Sequence, residues 1–325
     1  MAGVYRSLGK PGCALLLGAL AAGCSFNSSV APAQIANAAG ASLHASVALD
    51  ELPTRELTTP KKPLIYWGYY MPSAIAIFSQ KGTNPPEQGK ITKGLSHPER
   101  LFVDKALNLY ATNNAKNTIT AYKYATTSPY LTISNGVNGP IGVTVDAAGT
   151  VYCANIGNST VTEYPKGQTS PSLTIPMNGL LPEDLAIDAS DNLYVSYSSN
   201  GAGGGVLEFP HGSTTGKNLG LEYGGGGSLQ VDKAGNIIIV DDGLNQIDIY
   251  APGQVVPSKR ISVPAGTAFD LTLNQAETQL FVTVELGSAT FIVQELDYPN
   301  GTSLKNKITA HDGQWEIAVS PDAVL

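Results

Sequence analysis

The chain has 325 residues, enough for one large domain with a short appendage. Charged residues make up only 14% of it, below the roughly 25% of an average soluble domain, whereas 35 glycines and 21 prolines indicate short strands joined by tight turns. The net charge is -7 and no basic run is present, so the chain lacks a phosphate-neutralising surface and we expect no nucleic-acid partner.

The first 24 residues are typical of an export signal. Arg6 and Lys10 precede an apolar run, Cys13–Gly23, that is too short to span a bilayer and ends in small residues. The run from Leu20 to Cys24 resembles the bacterial lipobox, in which the cysteine is lipidated and becomes the mature N-terminus. That resemblance implies an envelope lipoprotein, periplasmic or cell-surface, which contacts the membrane only through the lipid on Cys24.

A second processing route remains open. The lipobox prefers leucine three residues before its cysteine, and Ala21 occupies that position here. Cleavage near Ala31–Ala39 would instead release a secreted, soluble protein. In both cases the chain is exported.

Residues 25–62 differ in composition from the rest of the chain. They are rich in Ala, Ser, Pro and Thr and have no strand or helix periodicity. Such a segment cannot bury enough apolar surface to offset the entropy lost on ordering, which predicts a disordered linker. The linker would connect the signal segment, residues 1–24, to a globular domain in residues 63–325.

The globular part consists of repeats of about 42 residues. The first strand of each copy ends in a turn-forming polar residue, and these residues are Asp104, Asp146, Asp188, Asp232, Asn274 and Ser320. Apolar residues alternate along each strand, Gly149 or Gly235 supplies the positive φ of the turn, and the third strand ends in an aromatic residue. Four strands at this period predict one blade of a β-propeller, because a blade with two apolar faces is stable only between neighbours.

The two ends of the repeat region predict how the ring closes. The last copy stops after its first strand, Trp315–Val319, whereas the segment from Leu64 begins with strands that lack a first strand. We therefore predict an all-β, six-bladed propeller whose closing blade is shared by the N- and C-terminal segments. The predicted blades are 64–96 with 314–325, 97–139, 140–181, 182–226, 227–266 and 267–313.

The repeats VDAAGTVYCANIGNSTVTEYP and VDKAGNIIIVDDGLNQIDIY resemble NHL-type propeller repeats, and the resemblance covers residues 97–313. It extends to the wider superfamily of gluconolactonase-like calcium enzymes, streptogramin lyases and surface proteins of unassigned role. The matching residues are core and turn positions, so the resemblance implies an architecture and leaves the activity open. The basic residue that NHL repeats carry before the third strand is replaced here by Thr118, Thr160 and Gln246.

In such propellers the loops that enter the first strands lie around the mouth of the central channel. The position two residues after the start of each repeat is occupied by Arg100, Gly142, Asp184, Ser228, Asp270 and Glu316. Asp184, Asp270 and Glu316, joined by Asp241 and Asp242 from the second loops, would offer oxygen ligands to a hard cation such as calcium. Alternatively, the acids are solvated and Arg100 neutralises Glu316.

His97 and His311 precede the first strands of adjacent blades, so we expect them to be neighbours. The resemblance to streptogramin lyases implies an acid–base couple or a ligand pair. The alternative is two surface histidines without a role.

Three functions are compatible with these patterns. We favour a non-enzymatic, monomeric propeller, envelope-anchored or secreted, that binds a small molecule or an envelope protein at the channel mouth without a cofactor. The first alternative is a metal-dependent lactonase- or lyase-like enzyme that acts on a small molecule. The second is a structural repeat protein of the cell surface.

Overall fold

The computed structural model describes residues 61–199, 203–223, 227–241, 243–263, 266–287, 290–311 and 314–320, with the backbone alone for residues 304–306, 311 and 314. The predicted signal segment, Cys24, the linker up to residue 60 and Asp242 lie outside these residues. Within the described ranges, no helix is long and apolar enough to cross a membrane. A short 3-10 helix, Asn114–Lys116, accompanies the strands.

The strands form six antiparallel sheets of four strands each, which are the blades of a β-propeller. This confirms the predicted fold class, the number of blades and the four strands per blade. Blade 1 contains β24 (Gln314–Val319), β1 (Leu64–Tyr69), β2 (Ala74–Ser79) and β3 (Gly89–Ile91). Blade 2 contains β4 (Pro98–Val103), β5 (Leu109–Asn113), β6 (Thr118–Tyr122) and β7 (Leu131–Ile133). Blade 3 contains β8 (Pro140–Val145), β9 (Val151–Asn155), β10 (Thr160–Tyr164) and β11 (Leu173–Pro176).

The other three blades have the same order. Blade 4 contains β12 (Leu181–Ile187), β13 (Leu193–Ser199), β14 (Gly203–Phe209) and β15 (Lys217–Asn218). Blade 5 contains β16 (Leu229–Val231), β17 (Ile237–Asp241), β18 (Gln246–Tyr250) and β19 (Lys259–Ser262). Blade 6 contains β20 (Thr267–Leu273), β21 (Gln279–Glu285), β22 (Thr290–Asp297) and β23 (Ser303–His311).

The ring closes as predicted, because the C-terminal strand β24 pairs with β1. Trp67 lies opposite Ile317 in this antiparallel register, and both side chains are buried. Beyond the strands, the Leu64 N–H donates to the Ser320 hydroxyl at 2.7 Å. The buried Gln80 amide donates to the carbonyl oxygens of Leu64 at 3.0 Å and Ser320 at 2.7 Å. The Gln80 side chain thus joins the start of β1 to the residue that follows β24.

In blades 2 to 5 the turn between the first and second strands is held by the Asp residue that the repeat predicted. The carboxylate Oδ1 accepts the backbone N–H of the residue four positions later, at 2.7–2.9 Å. These pairs are Asp104 with Asn108, Asp146 with Thr150, Asp188 with Asn192 and Asp232 with Asn236. Gly149 and Gly235 have φ values of +90° and +80° in two of these turns, where a side chain would strain the backbone.

The hydrophobic core lies between the blades. Trp67 and Phe78 of blade 1 pack with Phe281 and Phe291 of blade 6, and equivalent clusters fill the other interfaces. The aromatic residue that ends the third strand adds a hydrogen bond to the preceding blade. The hydroxyl groups of Tyr122, Tyr164 and Tyr250 donate to the carbonyl oxygens of Lys93, Asn135 and Glu222. Each blade is therefore stable only between two neighbours.

The closing blade gives a test of this account. Replacing Gln80 with alanine removes the side-chain donor to the buried Ser320 carbonyl and one of two donors to the buried Leu64 carbonyl. We expect unfolding to become easier by about 1 to 3 kcal/mol. Chemical denaturation measures the change. The exposed Gln88 is the matched control, and its replacement by alanine should cost less than about 0.5 kcal/mol. Equal effects of the two changes would contradict the role given to Gln80.

Candidate functional site

The innermost strands β4, β8, β12, β16, β20 and β24 surround the central channel. We call the side of the ring on which these strands begin the upper face; the turns between second and third strands lie there too. The opposite side, with the turns between first and second strands, is the lower face. Each innermost strand pairs on one edge only, so the backbone groups of its other edge need partners in the channel.

Near the upper face, Arg100 on β4 reaches across the channel to four other blades. Its guanidinium group contacts the carboxylates of Asp184 in blade 4 and Asp270 in blade 6 as hydrogen-bonded ion pairs. It also lies 3.8 Å from a carboxylate oxygen of Glu316 in blade 1 and donates to the Ser228 hydroxyl at 3.1 Å. We call these five residues the hub. A planar guanidinium suits this position, because its fork of N–H groups can serve several acceptors at once.

The hub also supplies acceptors to the free edges of the innermost strands. Asp184 Oδ2 accepts the N–H of Leu229 in the next blade at 2.8 Å, and Asp270 Oδ2 accepts that of Ile317 at 2.8 Å. The Ser228 hydroxyl likewise accepts the N–H of Leu271 in the next blade at 3.1 Å. Each of these side chains therefore connects its own blade to the next one around the ring.

Burial and excess negative charge shift the pKa values of the hub. Burial, together with the charge of Asp270, raises the pKa of Asp184 to about 7 against the opposing effect of Arg100. Burial and the charge of Asp270 also hold the pKa of Glu316 well above its usual range. Burial by itself would lower the pKa of Arg100, but the three carboxylates outweigh it, so the guanidinium stays charged. One cation thus serves three acids that compete for it.

A β-bulge interrupts the beginning of the innermost strand in at least five blades. The pairing register of the innermost strand shifts between Pro140 and Gly142, and equivalent shifts occur in blades 1, 2, 4 and 6. A bulge inserts one extra residue and re-aims its side chain. The five hub residues and Gly142 occupy equivalent positions in the six blades. The residues directly before them form what we call the mouth ring, namely Glu99, Ile141, Glu183, Gly227, Phe269 and Trp315.

Hydroxyl groups of the second strands hold the bulges in blades 4 and 6. The Asp184 N–H donates to the Ser196 hydroxyl at 3.0 Å, and the Asp270 N–H donates to that of Thr283 at 3.0 Å. Both hydroxyls in turn donate to the carbonyl oxygen of the next mouth-ring residue, Gly227 or Trp315. The mouth ring is therefore fixed by hydrogen bonds both within and between blades.

Aromatic rings occupy one side of the mouth ring. Phe269 and Trp315, from adjacent blades, are stacked with centroids 5.1 Å apart and planes at 17°, and both are partly exposed. Neither residue belongs to the site predicted from the sequence. Strict alternation along a strand would direct them away from Asp270 and Glu316, and the bulge that changes this is not visible in the sequence.

The structure brings four of the predicted site residues together, namely Arg100, Asp184, Asp270 and Glu316. The three carboxylates converge as predicted, but they converge on a guanidinium group. Among the described residues, no group of three or more His, Cys, Asp or Glu side chains is arranged for a metal ion. Arg100, treated in the sequence as a neighbour of Glu316, is bound more closely by Asp184 and Asp270.

The structure does not bring Asp241 to the hub. It ends β17, one strand away from the channel, where it is fully buried and its Oδ1 accepts the Leu244 N–H at 3.0 Å. The equivalent residues Asn113 and Asn155 also accept backbone N–H groups, from Ser96 and Asn138. This position anchors loops at the end of the second strand, which corrects its predicted place at the channel mouth.

Of the predicted histidine pair, the structure describes the side chain of His97 alone. The His97 ring stacks on Tyr70 with centroids 4.5 Å apart, and the His97 N–H donates to the Ser73 hydroxyl at 2.8 Å. His97 therefore contacts the turn between β1 and β2 on the upper face. His311 ends β23, where its backbone pairs with Thr290, and its side chain lies outside the described residues.

Below the hub, the channel contains a cavity of about 230 Å³. Arg100 lines its upper end, and Lys105, Lys233 and Gln275 lie among its lining residues at the lower face. A second cavity of about 340 Å³ shares Lys105 with it. The hub thus separates this space from the mouth ring.

No protein-family model matches the chain, and neither does any curated protein. Solved structures share its fold. A chain in the crystal structure of a nidogen/laminin complex is 16% identical with a TM-score of 0.64, over 81% of this chain and all of that one. A protein of unknown function from Bacteroides caccae is 12% identical with a TM-score of 0.61, over 79% and 98%. A catalytically inactive virginiamycin B lyase from Staphylococcus aureus, with quinupristin, is 12% identical with a TM-score of 0.50, over 79% and 86%. At these identities the similarity supports a β-propeller fold and no specific activity.

The hub can be tested by removing its cation. Replacing Arg100 with methionine leaves three carboxylates at the top of the channel without a counter-charge, and we expect a loss of about 3 to 5 kcal/mol at neutral pH. The loss should shrink at acidic pH, because the carboxylates then take up protons. Denaturation curves at two pH values measure both effects.

The exposed Lys90, 3.8 Å from Glu87, is the control for this substitution. Its replacement by methionine should change stability by less than about 0.5 kcal/mol. A loss below about 1 kcal/mol on replacing Arg100, far less than breaking a buried ion pair costs, would show that the hub does not hold the blades together.

Proposed function

We propose that this chain is an exported, non-enzymatic propeller that binds a protein partner with its upper face. The observation that carries the proposal is the position of exposed apolar side chains. Leu244, Leu286 and Met71 are 64%, 40% and 53% exposed. They occupy the turns between second and third strands in blades 5, 6 and 1, which are consecutive around the ring. Apolar residues exposed in consecutive turns are typical of interaction surfaces. The exposed apolar residues of the lower face, Tyr130, Val255 and Val256, lie in the separate blades 2 and 5.

The hub supports a binding function over catalysis. The metal-dependent alternative would need Asp184 and Asp270 to be available to a metal ion. Asp184 and Asp270 are 3% and 1% exposed, and both already bind Arg100 and backbone N–H groups. These acids stabilise the ring, and a rigid ring can present a fixed surface to a partner. A fold similar to this one occurs in the nidogen/laminin complex, which is consistent with recognition of a protein.

The proposed surface can be tested with two matched variants of the full chain. In the first, Met71, Leu244 and Leu286 are replaced by serine. In the second, the exposed apolar residues Tyr130, Val255 and Val256, in turns of the lower face, are replaced by serine. Each variant and the wild type are cross-linked in envelope extracts of the producing cells, and captured proteins are quantified by mass spectrometry.

We expect a partner that the wild type and the lower-face variant capture equally and the upper-face variant captures about tenfold less, which corresponds to about 1.4 kcal/mol. Loss of a few well-placed apolar contacts is sufficient for such a change. Equal capture by all three proteins, or a loss confined to the lower-face variant, would refute the proposal.

Export is part of the same proposal and has its own test. The N-terminal segment resembles a lipobox signal, so we propose that Cys24 is the lipidated N-terminus and anchors the propeller in the cell envelope. Mass spectrometry of the mature protein should find a diacylglyceryl-modified Cys24. An unmodified N-terminus after Ala31–Ala39 would indicate a secreted protein, and a retained Met1 would contradict export.

A further inference from the structure

The mouth ring has two chemically different sides. Blades 6 and 1 contribute the stacked, partly exposed rings of Phe269 and Trp315. Blades 2 and 4 contribute the partly exposed carboxylates Glu99 and Glu183 at the equivalent positions. Ile141 lies between the two acids. Aromatic rings and carboxylates at equivalent positions around one channel mouth can together bind an organic cation, because the ring face and the acids both attract positive charge.

The hub beneath the mouth ring offers no spare positive charge. Three carboxylates share the single charge of Arg100, and Glu99 acts electrostatically on Glu316. Glu99 and Glu183 directly precede Arg100 and Asp184, and the hub carboxylates already engage the charge of that arginine.

We propose that the mouth ring binds a lysine or arginine side chain of the partner protein, which lies against Trp315 and Phe269 and pairs with Glu99 and Glu183. This inference rests on the proposed function, since the mouth ring lies on the same upper face as the exposed apolar turns. A second copy of this chain is a poor candidate for the occupant, because a net charge of -7 opposes self-association. The apolar turns would provide contact area, and the mouth ring would select a basic residue.

The chain carries its own reporter for this site. It has two tryptophans, and Trp67 is fully buried, so quenchers in solution act mainly on Trp315. We expect caesium ions to quench the fluorescence more strongly than iodide, relative to free tryptophanamide. Replacing Glu99 and Glu183 with glutamine should remove this preference. The exposed Glu87 gives the control variant Glu87→Gln, which should retain it.

Binding is then measured with the peptide Ac-Gly-Gly-Arg-Gly-Gly-NH2 and its citrulline counterpart, which has the same shape without the charge. Isothermal calorimetry should give the arginine peptide at least about tenfold higher affinity, a difference of about 1.4 kcal/mol. Glu99→Gln alone should reduce that advantage, which keeps the test valid if the double variant is unstable. Trp315→Leu should weaken binding of the arginine peptide, whereas Glu87→Gln should not.

Three outcomes would overturn the inference. They are equal affinity for the two peptides, no saturable binding of either, and a preference for caesium that is not accompanied by a preference for arginine. If these occur while the upper-face serine variant still loses its partner, the cation site is wrong and the proposed function stands. If arginine binds selectively but all three proteins capture partners equally, the proposed function is wrong and the mouth ring is still a cation site.

Discussion

An innermost propeller strand has one edge that no other strand pairs, and its N–H groups need acceptors inside the channel. The hub meets that need near the upper face. Asp184, Ser228 and Asp270 each accept an N–H of the next blade, and the carboxylates become buried in doing so. Buried carboxylates require a counter-charge, which Arg100 supplies from the other side of the ring. The demand for backbone hydrogen bonds thus explains both the acids and the arginine.

Because of this constraint, residues that stabilise the ring are direct neighbours in the chain of residues that could contact a partner. The hub side chains face the free strand edges, and their oxygen atoms are occupied by the backbone N–H groups of those edges. The mouth ring precedes the hub by a single residue, and the bulges leave its side chains partly exposed on the upper face. Loss of Arg100 would therefore affect the whole ring, whereas changes to Phe269 or Glu99 would affect mainly the surface. A rigid hub below a partly exposed mouth ring is a suitable basis for a binding protein.

Closure of the ring follows the same logic at larger scale. An open row of blades would expose a strand edge and two apolar faces, so β24 pairs with β1 and Gln80 connects the two termini of the blade. Because the first and last described strands meet in one sheet, the blades cannot separate one at a time from an end. The interface between blades 6 and 1, which carries Phe269 and Trp315, depends directly on that closure.

The sequence by itself determined the architecture, since the repeat period, the turn residues such as Asp146 and the incomplete end copies depend on local patterns that recur in every blade. It also identified Arg100 and the acids as occupants of one equivalent position. Only the tertiary structure decided what they do there. Arg100 and Asp270 are 170 residues apart, and no local pattern specifies contact across a ring. The bulges that expose Phe269 and Trp315 are shifts in strand pairing, which alternation along a single strand cannot reveal.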